Sequence, residues 1–311
     1  MKTILFLSQW LVMIMAAPFF SGLITKIKND LRMRKGPGVL QPYYNLAKLF
    51  AKGEVISENA SWIFKAAPFV VFACAILVSL MVFVNSLPIA LSRLGDFFVI
   101  IFIFALGRFF LSLAGLDTAS AFAGMGSSRE MFISSLAEPV AFLSIFAIAL
   151  KGATTSLPEL LGSPPGLSVS LVMALGGLFM VVLAETSRLP VDNQETHLEL
   201  TMIHEAMVLE YSGPRLALIE SASYIKQIIF FSLIVNFLFP APLAQVVTQA
   251  SGYLVFILAL AAILAKIAVL ACVVAFLEVS IAKMRLFRAA DFLAFAFVLS
   301  LMAVVAAAIG I

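Results

Sequence analysis

Eight stretches of mostly apolar residues constrain this chain more than any other feature of its sequence. Each has about 20 residues, enough for an α-helix to cross the hydrocarbon core of a membrane. The runs are nearly continuous and lack the alternation of membrane β-barrel strands. They lie at residues 3–24, 66–87, 96–116, 130–150, 168–188, 214–238, 251–277 and 291–310.

The composition supports the same conclusion. Of the 311 residues, 63% are hydrophobic and 12% are charged, whereas soluble domains carry about 45–50% apolar and about 25% charged residues. Because a soluble core of this size cannot hide such an excess, lipid must cover part of it. The sequence predicts an all-α integral membrane protein, with residues 1–311 forming a single polytopic domain of about eight transmembrane helices.

The basic residues predict the orientation of these spans. Cytoplasmic loops of membrane proteins carry an excess of Lys and Arg. One side of the predicted topology holds 14 of them and the other holds 3, namely Lys2, Arg93 and Lys151. We expect the basic side to be cytoplasmic and both termini to lie on the opposite side of a cell membrane.

A short helix is predicted at residues 42–52, after the first span. Pro42 suits a first helical turn, and Tyr43, Leu46 and Phe50 fall near one face while Lys48 falls on another. This pattern is typical of a helix lying in the membrane interface, with basic residues reaching the lipid headgroups.

Several ionisable residues interrupt the apolar runs. Charges inside a membrane are costly and mark candidate functional sites. Glu138, beside Pro139, is the strongest candidate. Lys226 and Lys266 are candidates either for an ion pathway or for simple countercharges to Glu220. The intramembrane set is Arg108, Glu138, Glu185, Glu220, Lys226 and Lys266.

The densest acidic stretch lies between the fifth and sixth runs. Glu195 and Glu199 are four residues apart and would share a helix face, where like charges raise each other's pKa. The stretch predicts a cavity accessible to protons or cations; the alternative is a solvated acidic surface that docks a basic partner. Its members are Asp192, Glu195, His197, Glu199, His204, Glu205 and Glu210.

Several other functions find little support in the sequence. His197 and His204 are seven residues apart, too far for easy chelation by one helix, so we expect no metal site. The two cysteines, Cys74 and Cys272, are too few for an iron–sulfur cluster, which needs about four thiolates. The net charge of +3 is too small to indicate nucleic acid as a partner.

Three sequence motifs are more specific indicators of function than composition or charge. The first is RKGPGVLQP at 34–42, running into LAKL at 46–49. The second combines RFF at 108–110, GLDT at 115–118 and GSSRE at 126–130. The third is AETSRLPVD at 184–192, leading to EYSG at 210–213. Together they resemble the subunit 1 family of respiratory NADH dehydrogenase (complex I), especially its relatives in formate hydrogenlyase and energy-converting [NiFe]-hydrogenases.

This resemblance implies a non-catalytic subunit that anchors a hydrophilic redox arm and links its chemistry to proton or sodium translocation. The implied partners are the hydrogenase-like large and small subunits, with their NiFe centre and iron–sulfur clusters, and antiporter-like membrane subunits. The resemblance places Glu138, Glu185, Asp192, Glu195, Glu199 and Glu210 on acidic positions of the family. Together with the charge pattern described above, the predicted proton or ion pathway also includes His197, Glu205, Glu220, Lys226 and Lys266. The predicted docking face or quinone-like cavity comprises Arg32, Arg34, Lys35, Gly36, Pro37, Gln41, Tyr43, Lys48, Arg108, Asp117 and Arg129.

Departures from the respiratory pattern favour the hydrogenase branch. His197 and Asn45 stand where the respiratory subunit usually has acidic residues, and the basic motif at 34–42 is shorter. Three alternatives remain open at this point: a quinone-site subunit of a respiratory complex, a stand-alone cation transporter, or a structural anchor. Quinone binding and the choice between proton and sodium are also open.

Overall fold

The computed structural model describes residues 2–57, 60–83, 95–162, 166–192, 202–239 and 253–310. Within these ranges the chain forms a bundle of α-helices. They are α1 (Lys2–Leu31), α2 (Gln41–Ala51), α3 (Trp62–Phe83), α4 (Phe97–Asp117), α5 (Ala121–Gly152), α6 (Leu157–Gly162), α7 (Val169–Glu185), α8 (His204–Val208), α9 (Gly213–Leu238), α10 (Tyr253–Ser280) and α11 (Leu286–Ile309).

The spanning helices confirm the predicted fold class. Among the described residues, seven helices are long and apolar enough to cross a membrane: α1, α3, α4, α5, α9, α10 and α11. Helix α7 is equally apolar but has 17 residues, a length of about 26 Å against a hydrocarbon core of about 30 Å. With α7 included, the residues that the structure describes contain the expected eight spans.

Two predicted boundaries were wrong in ways that matter for the site. Helix α1 continues to Leu31, so Lys26 and Lys28 lie in the helix rather than in the following loop. Helix α5 begins at Ala121, nine residues before the predicted start at 130, so Arg129 lies in the helix rather than in the preceding loop. Hydropathy placed both boundaries where the charges begin, but backbone hydrogen bonds continue a helix through charged residues whose side chains find partners.

Small residues hold α7 against its neighbours. A Cβ atom on Gly177 would lie 2.3 Å from Ser300 Oγ and 3.0 Å from Ser144 Oγ. These two hydroxyls, from α11 and α5, are 2.9 Å apart and fully buried. Close approach through small residues, with a hydrogen bond between helices, is a common way to pack spanning helices because lipid supplies no hydrophobic drive for their association.

Helix α2 forms where it was predicted, from Gln41 to Ala51 with proline in its first turn. It packs against α1 and α9, yet none of its side chains is fully buried. The chain entering α2 lies directly on α1 at Gly22, where a Cβ atom would come within 2.0 Å of the Val39 carbonyl oxygen. The hydroxyl of Tyr43 donates a hydrogen bond to the carbonyl of Met15.

Helix α9 is the most enclosed of the long spans: 67% of the residues in its apolar stretch are buried, against 22% for α10 and for α11. Its residues Ile228, Ile229, Phe231 and Phe237 are almost completely covered. A polar side chain on α9 therefore lies inside the bundle and needs partners from the helices around it.

Candidate functional site

A buried group of ion pairs joins four spanning helices. This Arg108 cluster consists of Arg108 on α4, Glu138 on α5, Glu185 at the end of α7 and Lys226 on α9. Arg108 donates to Glu185 and, at 2.6 Å, to Glu138. Lys226 Nζ donates to the other Glu185 oxygen at 2.5 Å. Two cations balance two carboxylates, which offsets the cost of removing each from water.

Local packing brings the cationic groups of the cluster into place. Helix α4 packs against α3 next to Arg108, where a Cβ atom at Gly107 would be in ordinary van der Waals contact with Cys74, 3.4 Å from its Cβ. The Lys226 ammonium lies 5.7 Å from the centre of the Phe104 ring, within the range of a cation–π interaction. The sequence nominated all four cluster residues, and the helix packing joins them.

Exposure changes across the cluster. The side chains of Arg108 and Glu185 are each 7% exposed, Lys226 is 20% exposed, and Glu138 is 42% exposed. Glu138 therefore connects the buried pairs to the outer face of α5. A carboxylate on the outside of a spanning helix is costly to leave facing lipid.

Two cavities meet at the Arg108–Glu185 pair, which lines both. The first has a volume of 60 Å³ and includes Glu130, Ser187 and His204 in its lining. A water molecule needs about 10–15 Å³ of such space and polar partners, so this cavity suits several waters. The second has a volume of 20 Å³, includes Glu138 and is otherwise mostly apolar. We call the first one, which Glu130, Ser187 and His204 help to line, the polar cavity. The Arg108–Glu185 ion pair thus lies between the polar cavity and a smaller, mostly apolar cavity.

Asp192 contacts His204, which lines the polar cavity. Lys283 donates to one oxygen of Asp192 at 2.8 Å, and the backbone N–H of His204 donates to the other at 3.2 Å. Burial lowers the pKa of the His204 imidazole, while the charge of nearby Glu205 acts in the opposite direction. The depressed pKa favours a neutral imidazole that can accept or release a proton.

A second buried group, the Glu278 cluster, comprises Lys28 on α1, Arg188 after α7 and Glu278 on α10. Glu278 pairs with Lys28 at 3.1 Å and with Arg188 at 3.2 Å, and its side chain is 2% exposed. Arg188 also donates to the amide oxygen of Gln227 at 3.0 Å. Because Gln227 follows Lys226 and Arg188 lies three residues after Glu185, the two clusters are adjacent.

Sequence reasoning missed the Glu278 cluster and did not nominate Glu130. It placed Lys28 and Arg188 among the basic residues of the cytoplasmic side. A signal existed for Glu278, since it is a carboxylate in direct continuation of a 27-residue apolar run (251–277). Its two partners come from distant parts of the chain, however, and only helix packing identifies them.

The other predicted pathway residues are dispersed. Glu205 and Glu220 are half-buried and Glu210 is exposed. Lys266 donates to the Phe239 carbonyl at the end of α9, about 20 Å along that helix from Lys226, so the structure does not bring it to the Arg108 cluster. Glu195, His197 and Glu199 lie outside the described residues.

The residues predicted for docking or for a quinone-like cavity mostly line the surface. Arg32 donates to the Glu278 carbonyl at 3.3 Å, Arg129 donates to the Met202 carbonyl at 2.9 Å, and Asp117 accepts the Ser61 N–H at 2.8 Å. Tyr43 is half-buried against α1, and burial raises its pKa. The exposed members are Arg34, Lys35, Gly36, Pro37, Gln41 and Lys48.

Metal-ligating side chains are not clustered in the part of the chain that the structure describes: no group of three or more His, Cys, Asp or Glu residues there is arranged to hold a metal ion. Cys74 is buried on α3 and Cys272 is exposed on α10. The described residues therefore fit neither an iron–sulfur cluster nor a NiFe centre.

The fold and the charged clusters define a multi-pass membrane protein with ion pairs buried between its spans. The chain belongs to the NADH dehydrogenase family, whose model matches residues 2–308. It is 31% identical to formate hydrogenlyase subunit 4 of Escherichia coli K12 over 284 residues, covering 90% of each chain. It is also 32% identical to hydrogenase-4 component C of the same organism, covering 81% of this chain and 84% of that protein.

More distant relatives lie in the respiratory branch. NADH-ubiquinone oxidoreductase chain 1 of Hyaloraphidium curvatum is 29% identical over 239 residues, covering 74% of this chain and 79% of that protein. Among solved structures, a chain of the archaeal membrane-bound sulfane sulfur reductase matches with a TM-score of 0.80 at 19% identity, covering 97% of this chain and 99% of that one. This likeness establishes the shared fold.

Proposed function

We propose that this chain is the membrane-anchoring and ion-coupling subunit of a complex I-related redox complex of the formate hydrogenlyase or energy-converting hydrogenase type. The observation that carries the proposal is the Arg108 cluster, which extends from a cavity large enough for water to a half-exposed Glu138. The two hydrogenase-type relatives, at 31% and 32% identity, support that branch over the respiratory one.

The geometry supports a simple coupling step. A proton enters through the polar cavity, past His204 and Glu130, and reaches Glu185. Protonation of Glu185 weakens its pairs with Arg108 and Lys226, so Arg108 is left to pair with Glu138. The charge on Glu138 is thereby linked to the protonation of Glu185 through a shared guanidinium. A sodium ion at the carboxylates would use the same linkage.

The surfaces on either side of this path suit different partners. The exposed basic residues Arg34, Lys35 and Lys48 suit an acidic face of hydrophilic large and small subunits, which would carry the NiFe centre and the iron–sulfur clusters. Glu138 on the outer face of α5 suits an antiporter-like membrane subunit that continues the path. The volume of 60 Å³ suits water better than a quinone, since ligand pockets have about 300–1,000 Å³.

The coupling test uses the intact complex in inverted membrane vesicles. Measured per assembled complex, a Glu138→Gln, Glu185→Gln double variant should retain most of its hydrogen-forming activity and lose at least about nine-tenths of its reaction-driven ion uptake. Glu159→Gln is the matched control, because Glu159 lies on α6 and pairs with Thr154. Ion uptake at the wild-type level in the double variant would refute the coupling role and leave a structural anchor.

A second measurement tests the type of complex. After purification in mild detergent, mass spectrometry should find hydrogenase-like large and small subunits together with antiporter-like membrane subunits. A quinone-reducing arm in their place would move the chain to the respiratory branch. Purification of an active ion carrier with no redox partner would identify a stand-alone transporter.

A further inference from the structure

A basic groove lies where α10 ends and α11 begins. A cavity of 390 Å³ is lined by Ala282, Lys283, Met284, Arg285 and Arg288. An adjoining cavity of 130 Å³ has Arg129 on its wall and shares Lys283, Met284 and Arg285 with the first. The shared residues make the two cavities one groove, with four basic side chains: Arg129, Lys283, Arg285 and Arg288.

The groove has more positive than negative charge. Lys283 pairs with Asp192 at 2.8 Å, and the groove also holds the two arginines at the start of α11, Arg285 and Arg288. Arg285 and Arg288 are exposed, and neither forms an ion pair with a residue that the structure describes. The exposed Asp291 is three residues after Arg288 on α11, and one carboxylate cannot neutralise all of these cations. An anion in the groove would be attracted by several charges at once.

The groove also lies at the depth of a membrane surface. The apolar span of α10 ends at Ser280, and that of α11 begins at Arg288. Arginines at the ends of spanning helices reach the headgroup region. Basic pockets between spanning helices on the cytoplasmic side are typical binding sites for anionic lipid headgroups.

Apolar surface continues from the groove in two directions. Val191, Ile203 and Leu286 line its inner part. Beyond it, α10 and α11 present exposed aromatic side chains, with Phe276 at 62% and Phe295 at 63% exposure. A ligand that carries a phosphate and long hydrocarbon chains matches both the cationic groove and these faces, whereas an acidic protein segment would use only the charges.

From these observations we propose that the basic groove binds the phosphate headgroup of an anionic phospholipid, whose acyl chains lie along the exposed faces of α10 and α11. The interaction is charge-assisted hydrogen bonding between guanidinium groups and phosphate oxygens. This site is separate from the Arg108 cluster and does not depend on ion coupling.

The test titrates the delipidated, detergent-purified complex with dioleoyl phosphatidylglycerol, and native mass spectrometry counts the bound lipids. An Arg285→Gln, Arg288→Gln double variant should bind the groove lipid at least about tenfold more weakly than wild type. A Lys26→Gln, Lys65→Gln double variant is the control, since it removes the same charge from exposed residues elsewhere. Binding by wild type should also weaken as salt is raised.

Any one of three other outcomes would overturn the assignment of the groove to an anionic lipid. Equal binding of phosphatidylglycerol by wild type and the arginine variant would show that the groove is not the site. Equally tight binding of dioleoyl phosphatidylcholine, or of inorganic phosphate at the same concentration, would remove the requirement for an anionic lipid. Loss of a hydrophilic subunit from the arginine variant with unchanged lipid binding would identify the groove as a protein contact.

Discussion

Among the single residues, two buried carboxylates each pair with two cations, which offsets the cost of placing their charge in the membrane. Both oxygens of Glu185 accept hydrogen bonds, one from Arg108 and the other from Lys226. Glu278 pairs with Lys28 and with Arg188. In each case one carboxylate contacts two cations from distant parts of the chain, so the loss of that carboxylate leaves two charges with reduced compensation.

Glu278→Gln should therefore destabilise the protein strongly. Removing one member of a buried ion pair typically costs about 3–5 kcal/mol, because the remaining charge is left buried without a partner. The expected result is a clearly lower midpoint of thermal unfolding for the purified complex. Asp291→Asn, on the exposed surface of α11, is the control and should melt like wild type. Equal midpoints for the two variants would contradict the structural role of Glu278.

His204 should make stability depend on pH. Its folded-state pKa lies below the ordinary value of 6.5, so the unfolded chain takes up a proton first as the pH falls. The stabilisation from the neutral imidazole is complete above pH 6.5 and is lost as the pH falls through the lower folded-state pKa. Between pH 8 and pH 5, wild type should lose more thermal stability than His204→Gln. Parallel losses in both proteins would show that His204 does not titrate on unfolding.

At the scale of elements, close backbone contact positions the short helix against the bundle. Gly22 on α1 lies directly beneath the Val39 carbonyl and near Pro42 Cδ, at 2.0 Å and 3.1 Å from a Cβ atom at Gly22. The contact fixes where α2 begins relative to the first span. Its register is thus set by the one residue type that leaves room for the crossing chain.

Gly22→Ala should displace α2. Overpacking of this kind costs about 1–3 kcal/mol, and hydrogen–deuterium exchange should become faster in residues 39–51. Gly124→Ala on α5 is a matched control because nothing lies within 4 Å of a Cβ atom there. Alanine at that helical position should be neutral or stabilising. Unchanged exchange in the Gly22 variant would mean that α1 and α2 do not depend on this contact.

Across the bundle, the basic residues and the candidate sites lie on the same side. The α1–α2 connection, the polar cavity and the basic groove all lie toward the predicted cytoplasmic ends of the spans, where 14 of the basic residues were expected. The opposite ends carry only 3. This asymmetry of basic residues predicts which side of the membrane each loop faces.

The expected orientation can be tested by labelling from outside intact cells. In a variant without Cys74 and Cys272, Leu167→Cys should react with a membrane-impermeant maleimide, whereas Met33→Cys should react only after permeabilisation. Both wild-type side chains are well exposed, at 67% and 94%, so accessibility within the protein does not limit either reaction. The reverse pattern would invert the topology and place the basic side outside.

Much of the fold was predictable because lipid imposes a simple rule. A helix that spans a membrane needs about 20 apolar residues, and this rule located the helices that became α1, α3, α4, α5, α7, α9, α10 and α11. The interfacial helix was predictable from Pro42 and the spacing of its apolar residues. The boundaries near Lys28 and Glu130 were not, since hydropathy assigns charged residues to loops unless their partners are known.

The candidate site, like the fold, was predictable only in part from the sequence. Arg108, Glu138, Glu185 and Lys226 could be identified without a structure, because an ionisable residue in an apolar run is conspicuous wherever it lies in the chain. That these four meet, that Lys266 lies elsewhere, and that Lys28 and Arg188 compensate Glu278 became known only from the packing of the helices. Hydrophobicity is a local property of the sequence, whereas pairing of charges depends on distances between helices that are far apart in the chain.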